Sequence, residues 1–257
     1  MFPVLLKSLT KAWFMMKKNE VHWDNYSEEY QKKHGVQLNR IDFVWGVWSL
    51  PESELNILGD VKGKRVLEVG CGAAQLSIAI AKNGGLPTGL DISSKQLEYA
   101  RKLMDQFQVH FDLIHSSADD IPSSDNSFDI VFCDHGAMTY SPTEKTLSEI
   151  HRVLDKGGVF AFNIQSPIHE ICYNEKESKV ESHLCKSYFE LSPFEDDGLQ
   201  YYQYTYSEWI KMFIKAGFKI IDLVELRAKE ESKSTFDYAP KEWAIKYPTE
   251  NIWILEK

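Results

Sequence analysis

A chain of 257 residues with 43% hydrophobic and 26% charged side chains carries enough apolar surface to bury one large core, which excludes general disorder and makes a single domain the default. Its formal net charge of -9 repels phosphate backbones, and no run of Lys and Arg interleaved with aromatics reverses that locally, so nucleic acid is excluded as a partner. Cys71, Cys133, Cys172 and Cys185 form no CxxC or CxxxC pair, a pattern that fits a reducing cytoplasm and not a zinc site.

The first eighteen residues place Leu5, Leu6, Leu9, Trp13 and Met16 on one helical face among Lys7, Lys11, Lys17 and Lys18. The apolar run is too broken to span a bilayer and lacks the centre and cleavage site of a secretory signal. A helix that docks on the body or frays is expected, with a membrane-surface anchor as the alternative. Residues 19 to 60 read as helical and aromatic, with Pro51 opening a short helix through Leu58.

From Lys64 the pattern changes to short apolar runs alternating with amphipathic stretches, the signature of βα units around a parallel sheet. The runs are Arg65 to Val69, Leu86 to Leu90, Val109 to Ile114, Phe128 to Cys133 and Gly158 to Ile164, with helices predicted over Ala74 to Lys82, Ser94 to Gln106 and Thr143 to Leu154. An irregular Tyr-rich stretch, Gln165 to Tyr206, is long for a connection and is read as covering a site. A helix Ser207 to Ala216, closed by Gly217, feeds a sixth strand, Phe218 to Leu226. The last run, Ile252 to Leu255, has no crossover helix ahead of it and is expected to pair antiparallel with the sixth strand. The fold class is α/β: a Rossmann-like, seven-stranded, mostly parallel sheet with an antiparallel last strand, helices on both faces and a helical N-terminal extension.

Lys64 to Gln75 runs a buried strand into a glycine turn and a helix. Gly70 and Gly72 leave room for a ligand against the backbone, although a tight turn needs glycine for steric reasons alone. Asp91 ends the next strand, nineteen residues after Gly72, where a carboxylate can accept both hydroxyls of a ribose; Ser93 suits the N-cap of the following helix better than Asp91 does. A nicotinamide-dependent oxidoreductase would use the same crevice. Against it, Gln75 occupies the place of a third glycine, and Glu68 would repel a pyrophosphate while suiting a cationic amino-acid tail.

With EVGCGAAQ, then GLD, then Ser116 to Cys133 and the Leu154-Asp155-Lys156-Gly157-Gly158 turn, the chain resembles the class I S-adenosylmethionine (SAM)-dependent methyltransferases of the small-molecule type. The resemblance implies that SAM, leaving as S-adenosylhomocysteine, is held by Glu68, Gly70, Cys71 and Gly72 at its methionine portion, by Asp91 at the ribose and by Ile92 at the adenine, with Gln96 beside them. At the adenine edge Ser117 stands where the family commonly has an acid, which leaves the backbone of Ala118 and the carboxylate of Asp119; Asp119 and Asp120 read alternatively as solvated loop charges. Cys133, Asp134 and His135 are expected to face the methyl group and the acceptor. The Asp/Asn-Pro-Pro-aromatic motif and the Pro-Cys pair of base methylation are both missing.

Residues 1–60 are thus expected to form a helical extension or lid and residues 61–257 the methyltransferase domain, with 165–206 as a lid insertion. The acceptor is expected to be a small molecule, with no metal, in a cytoplasmic protein. His135 is the first choice for a general base, then Asp134 and His169. Tyr26, Tyr30, Trp45, Tyr201, Tyr202, Tyr204 and Tyr206 read either as an aromatic cap over the acceptor or as ordinary core. A SAM-binding protein without turnover is the other alternative.

Overall fold

Alternation along each strand decides which side of the sheet an apolar residue covers. In the computed structural model, β1 (Arg65–Val69), β2 (Leu86–Asp91), β3 (Asp112–His115), β4 (Phe128–Asp134), β5 (Leu154–Gln165), β6 (Lys219–Leu226) and β7 (Glu250–Glu256) form one sheet in the order β6-β7-β5-β4-β1-β2-β3. β7 runs antiparallel to both neighbours, β5 and β6, while β1 to β5 pair in parallel. The structure describes residues 2–39, 42–191, 194–196 and 199–257, those of 2–16 and 194–196 as backbone alone. The apolar face expected of Leu5, Leu6, Leu9, Trp13 and Met16 lies outside the described side chains.

On one face, Leu67, Val131, Phe160 and Trp253 meet Leu147 and Ile150 of α4 (Thr143–Val153) and Trp209 and Phe213 of α5 (Tyr206–Ala216). On the other, Val66, Ile130, Phe132, Ala161 and Ile252 meet Ala79 and Ile80 of α2 (Gln75–Lys82) and the indoles of Trp45 and Trp48. Each fully buried Val, Leu, Ile or Phe among these contributes roughly 1.5–3 kcal/mol. A capping box, Thr205 with Glu208, opens α5, and Gly217 at φ +92° ends it.

Three expectations change. The N-terminal region is one continuous helix, α1 (Phe2–Leu38), because neither Gly nor Pro interrupts residues 4–34. After it the chain is not helical: Val44–Trp45 and Leu50–Pro51 pair antiparallel, with Gly46 and Ser49 at positive φ in the turn, and the following helix is confined to Glu52–Leu55. The stretch expected to be irregular holds a helix, Pro167–Cys172, and two hairpins, Tyr173–Asn174 with Lys179–Val180 and Phe194–Asp196 with Leu199–Tyr201. No helix among the described residues is long and apolar enough to cross a membrane.

At the start of α3 (Ser94–Phe107), α1 docks through the Asp24 carboxylate. Ser93 is the N-cap of α3 and accepts from the Gln96 amide, while Asp24 accepts from the Lys95 amide at 3.1 Å and the Ser93 hydroxyl at 2.7 Å. Burial opposes the Asp24 charge, but these bonds outweigh it and hold the carboxyl below its ordinary range. An acid at a helix N-terminus is the arrangement that the free amides and the helix dipole favour. Asp24→Ala is expected to cost about 1 kcal/mol and to speed limited proteolysis within α1 while the 65–257 body stays resistant; unchanged cleavage would show that α1 is held elsewhere.

Candidate functional site

The chain leaves β1 in one direction along the sheet and returns at β4 on its other side, so the carboxyl ends of β1 and β4 bound a crevice. A cavity opens there, lined from the glycine turn, the ends of β2 and β4, α1 and the hairpin ending at Tyr201. No Lys or Arg among the described residues lines it, whereas Glu68, Asp91, Asp119 and Asp134 do.

The glycines of the turn act differently from one another. A Cβ on Gly70 would fall 2.4 Å from the Ala137 amide, so this glycine lets the turns after β1 and β4 touch, rather than admitting a ligand. A Cβ on Gly72, at φ +53°, would meet nothing nearer than Gln96 Oε1 at 3.9 Å; that space belongs to the cavity. The Gly70 and Cys71 amides both donate to the Leu90 carbonyl. Asp91 accepts from the Gly72 amide at 2.7 Å and the Ser93 amide at 2.8 Å, which ties β2 to the turn. Burial raises the Asp91 carboxyl above its ordinary range, with these amides pulling the other way.

Glu68 accepts from the Ser77 amide and hydroxyl at 2.9 and 2.5 Å, capping α2 from below because Ala74, the N-cap, has no capping side chain. Burial pushes this carboxyl up to about 8, the Ser77 bonds offset it only in part, and the charges of Asp134 and Asp91 add to it. Cys71 also lines the cavity, its thiol pushed well up by burial. Ile92, Gln96, Ala118 and Asp119 line the same end, and the Ser117 hydroxyl donates to Asp119. From α1, Gln31 donates to Gln96 and accepts from Gln75, each within 3.0 Å, so α1 roofs this end.

Cys133 does not reach the cavity. Its side chain packs with Leu67, Val69 and Val131 on the α4 and α5 face, as strand alternation requires, and burial lifts its thiol to about 12. Asp134 and His135 do line it. Asp134 accepts from the Gly46 amide at 3.0 Å and from Asn163 at 2.7 Å. His135, at φ +54°, holds Glu250 through Nε2 at 2.5 Å, and Glu250 accepts further from Asn163 and the Val47 amide, both at 2.9 Å.

The Glu250 carboxylate is fully buried. Burial would raise its carboxyl, but the His135 charge and hydrogen bond outweigh it and hold it below the ordinary range. Burial likewise pulls the imidazolium down while Glu250 and Asp134 hold it up, with a net upward shift. Asp134, His135 and Glu250 are also the one cluster of metal-ligand types among the described residues. The Gly46 and Val47 amides and Asn163 donate to the two carboxylates.

His169 is correctly placed for none of this: its Nε2 meets the Tyr238 carbonyl at 2.9 Å and it does not line the cavity. Of the predicted aromatic cap, Tyr30 and Tyr202 line the cavity; Trp45 lies in the core and Tyr204 against Trp209. Trp23 and Tyr140, 5.2 Å apart between rings, complete the wall. Sequence reasoning missed Glu250, Asn163, Gln31 and these two rings. Asn163 had a signal, a polar residue inside the apolar run Gly158 to Ile164; Gln31 had none.

Residues 67–162 match the family model described as a methyltransferase domain. The demethylmenaquinone methyltransferase of Listeria welshimeri is 31% identical over 151 residues, 56% of this chain and 62% of that one; the chain thus spans less than two thirds of the curated relatives' length. Among solved structures, a SAM-dependent methyltransferase from Mesorhizobium loti has a TM-score of 0.63 at 18% identity, covering 80% of this chain and 96% of that one. The Burkholderia thailandensis 1,6-didemethyltoxoflavin-N1-methyltransferase, with 1,6-didemethyltoxoflavin and S-adenosylhomocysteine bound, has 0.59 at 13%, covering 95% and 88%. Residues 67–162 thus match a methyltransferase domain, and the sheet has the fold of these SAM-dependent methyltransferase structures.

Glu68 yields a pH prediction. Its folded pKa lies above the ordinary carboxylate value, so the stability of the ligand-free protein falls as pH rises from about 4.5 through about 8. Glu68→Gln is expected to remove that loss and to raise Tm by ~2–4 °C or more at about pH 8, for a gain of at least about 1 kcal/mol. A Tm difference that does not grow with pH would contradict a protonated Glu68.

Proposed function

We propose that the protein is an enzyme that moves a methyl group from SAM to a small-molecule acceptor. The observation that carries this reading is the cavity's acidic lining around Gly72: a carboxylate-rich crevice with an open glycine suits a cationic ligand and disfavours a pyrophosphate. That same lining argues against a nicotinamide-dependent oxidoreductase, which the occupied position of Gln75 also disfavours.

In this reading the free oxygen of Glu68 takes the ligand's ammonium, Asp91 the ribose hydroxyls, and Ile92, Ala118 and Asp119 the adenine, with Gln96 and Gln31 closing over it. SAM supplies an already activated methyl carbon on a sulfonium. The chain's tasks are then to align the acceptor, to exclude water beneath α1 and the Trp23, Tyr30, Tyr140 and Tyr202 wall, and to receive a proton. His135 is assigned that proton in preference to Asp134, whose oxygens already accept from Gly46 and Asn163. A small molecule is the acceptor class that a cavity enclosed by these side chains fits.

Calorimetric titration of the full chain with SAM, S-adenosylhomocysteine and NADH tests the cofactor. Micromolar binding of the first two alone is expected; NADH binding in their place would establish the oxidoreductase. Asp91→Ala is expected to weaken SAM roughly ten- to a hundredfold, from lost charge-assisted bonds of about 1.5–3 kcal/mol, and to lower stability too, since the Gly72 and Ser93 amides lose their acceptor. Binding that survives the substitution unchanged would remove Asp91 from the site.

A further inference from the structure

Resting on the methyl-transfer reading above, we propose that the acceptor is an uncharged phenolic hydroxyl and that Glu250 is the positioning residue that makes His135 its proton acceptor. Nε2 of His135 is engaged by Glu250, which leaves Nδ1 as the ring nitrogen free to serve the cavity that His135 lines. The pair is held from several elements at once. Val47 and Asn163 fix the carboxylate, and a Cβ on Gly46, at φ +70°, would fall 2.4 Å from Glu250 Oε1. The His135 amide donates to the Asn163 carbonyl at 3.1 Å, and the left-handed backbone at His135 turns the ring out of the strand line. A buried ion pair adds little to stability compared with apolar side chains of the same size, so a fully buried carboxylate braced in this way against a cavity histidine points to use.

The chemistry of the acceptor follows from what the pair can do. An amine attacks through its own lone pair and needs no proton removed first, whereas a hydroxyl is a weak nucleophile until its proton leaves. An anionic acceptor would face Asp91, Asp119 and Asp134 in one cavity. The walls from Trp23, Tyr30, Tyr140 and Tyr202 suit a flat ring. In the step, the acceptor oxygen bonds to the methyl carbon as the carbon–sulfur bond breaks, the sulfur keeps that electron pair, and the O–H proton passes to Nδ1 of His135. The positive charge lost at sulfur reappears on the imidazolium, beside Glu250.

The titratable groups around His135 are Asp134 on its own strand, Glu250 on β7, His169 on the Pro167–Cys172 helix and Tyr238 between β6 and β7, with Tyr30 of α1 beside Asp134. Glu250 and Asp134 hold the imidazolium up against burial. The working base is the neutral ring, so the rate climbs with pH through a value above the ordinary histidine range. Without the Glu250 charge, burial prevails and the climb moves to lower pH.

The test measures S-adenosylhomocysteine formation by the full chain with SAM and three matched probes, 1-naphthol, 1-naphthylamine and 1-naphthoate, alongside phenol, aniline and benzoate. Turnover of the hydroxyl probes alone is expected. Glu250→Gln keeps an oxygen for Val47 and Asn163 while removing the charge; it is expected to lower kcat about a hundredfold or more with KM within a few-fold, and to move the pH inflection to lower pH. His135→Asn, which tolerates the left-handed backbone, is expected to lose about 10²- to 10⁴-fold and the inflection itself. Amine or carboxylate turnover in place of hydroxyl turnover, no hydroxyl turnover by protein that binds SAM, or a Glu250→Gln profile that coincides with the wild type would each overturn the proposal. Failure to bind SAM in the calorimeter would instead overturn the methyl-transfer reading beneath it.

Discussion

Four carboxyl groups lie along one edge of the sheet, Glu68, Asp91 and Asp134 toward the carboxyl ends of β1, β2 and β4 and Glu250 at the amino end of the antiparallel β7, and the local architecture is organised by the need to compensate them. Glu68, Asp91 and Glu250 are nearly or fully screened from water, where an unpaired charge costs several kcal/mol, and Asp134 is half-buried. The donors are backbone amides in turns and at a helix start: Ser77 in the first turn of α2 for Glu68, Gly72 and Ser93 for Asp91, Gly46 for Asp134, Val47 for Glu250. Turns, unlike strands, have amides to spare, so the glycine turn after β1 and the hairpin at residues 44–51 hold the shapes they do. At Glu68 the Ser77 bonds offset burial only in part, and the carboxyl is pushed up to about 8.

The same logic explains why α1 belongs to the site and not merely to the N-terminus. It places Asp24 on the free amides of α3 and Gln31 between Gln75 and Gln96, and it brings Trp23 and Tyr30 over the acceptor end. Among the described residues the roof is fastened by polar contacts from Asn19, Asp24, Gln31, His34 and Gln37 and by the ring of His34 stacked on Phe236. The proposed cofactor and acceptor ends therefore share one cover.

The cavity's two ends differ in how they relate to known proteins. The methyltransferase match covers residues 67–162, where the glycine turn, Asp91 and the Ala118 segment lie. Asn19, Trp23, Tyr30, Gly46, Tyr202 and Glu250 come from outside residues 67–162. One fold hosts many acceptors by such variation at its margins, so the acceptor has to be argued from these side chains and not from the sheet.

The sheet was legible because strand and helix periods are local: alternation in Val66 to Val69 or Phe160 to Ile164, punctuated by turn residues, needs no knowledge of distant chain. Glu68 and Asp91 were legible for the same reason, lying within one βαβ unit. Even Cys133 was decidable, since its parity with Val131 turns it away from the cavity. The His135 and Glu250 pair, 115 residues apart, and Asp24 and Ser93, 69 apart, were not. A buried carboxylate at the edge of an apolar strand looks in sequence like the last charge of the loop before it, and a helix that caps another cannot be distinguished from a helix that frays. Sequence by itself determined which segments form the sheet and where its ligand crevice opens, because those follow from local periodicity and turn chemistry; only the tertiary structure decided which charges meet in that crevice and what covers it, because pairing between distant side chains exists only once the chain has closed on itself.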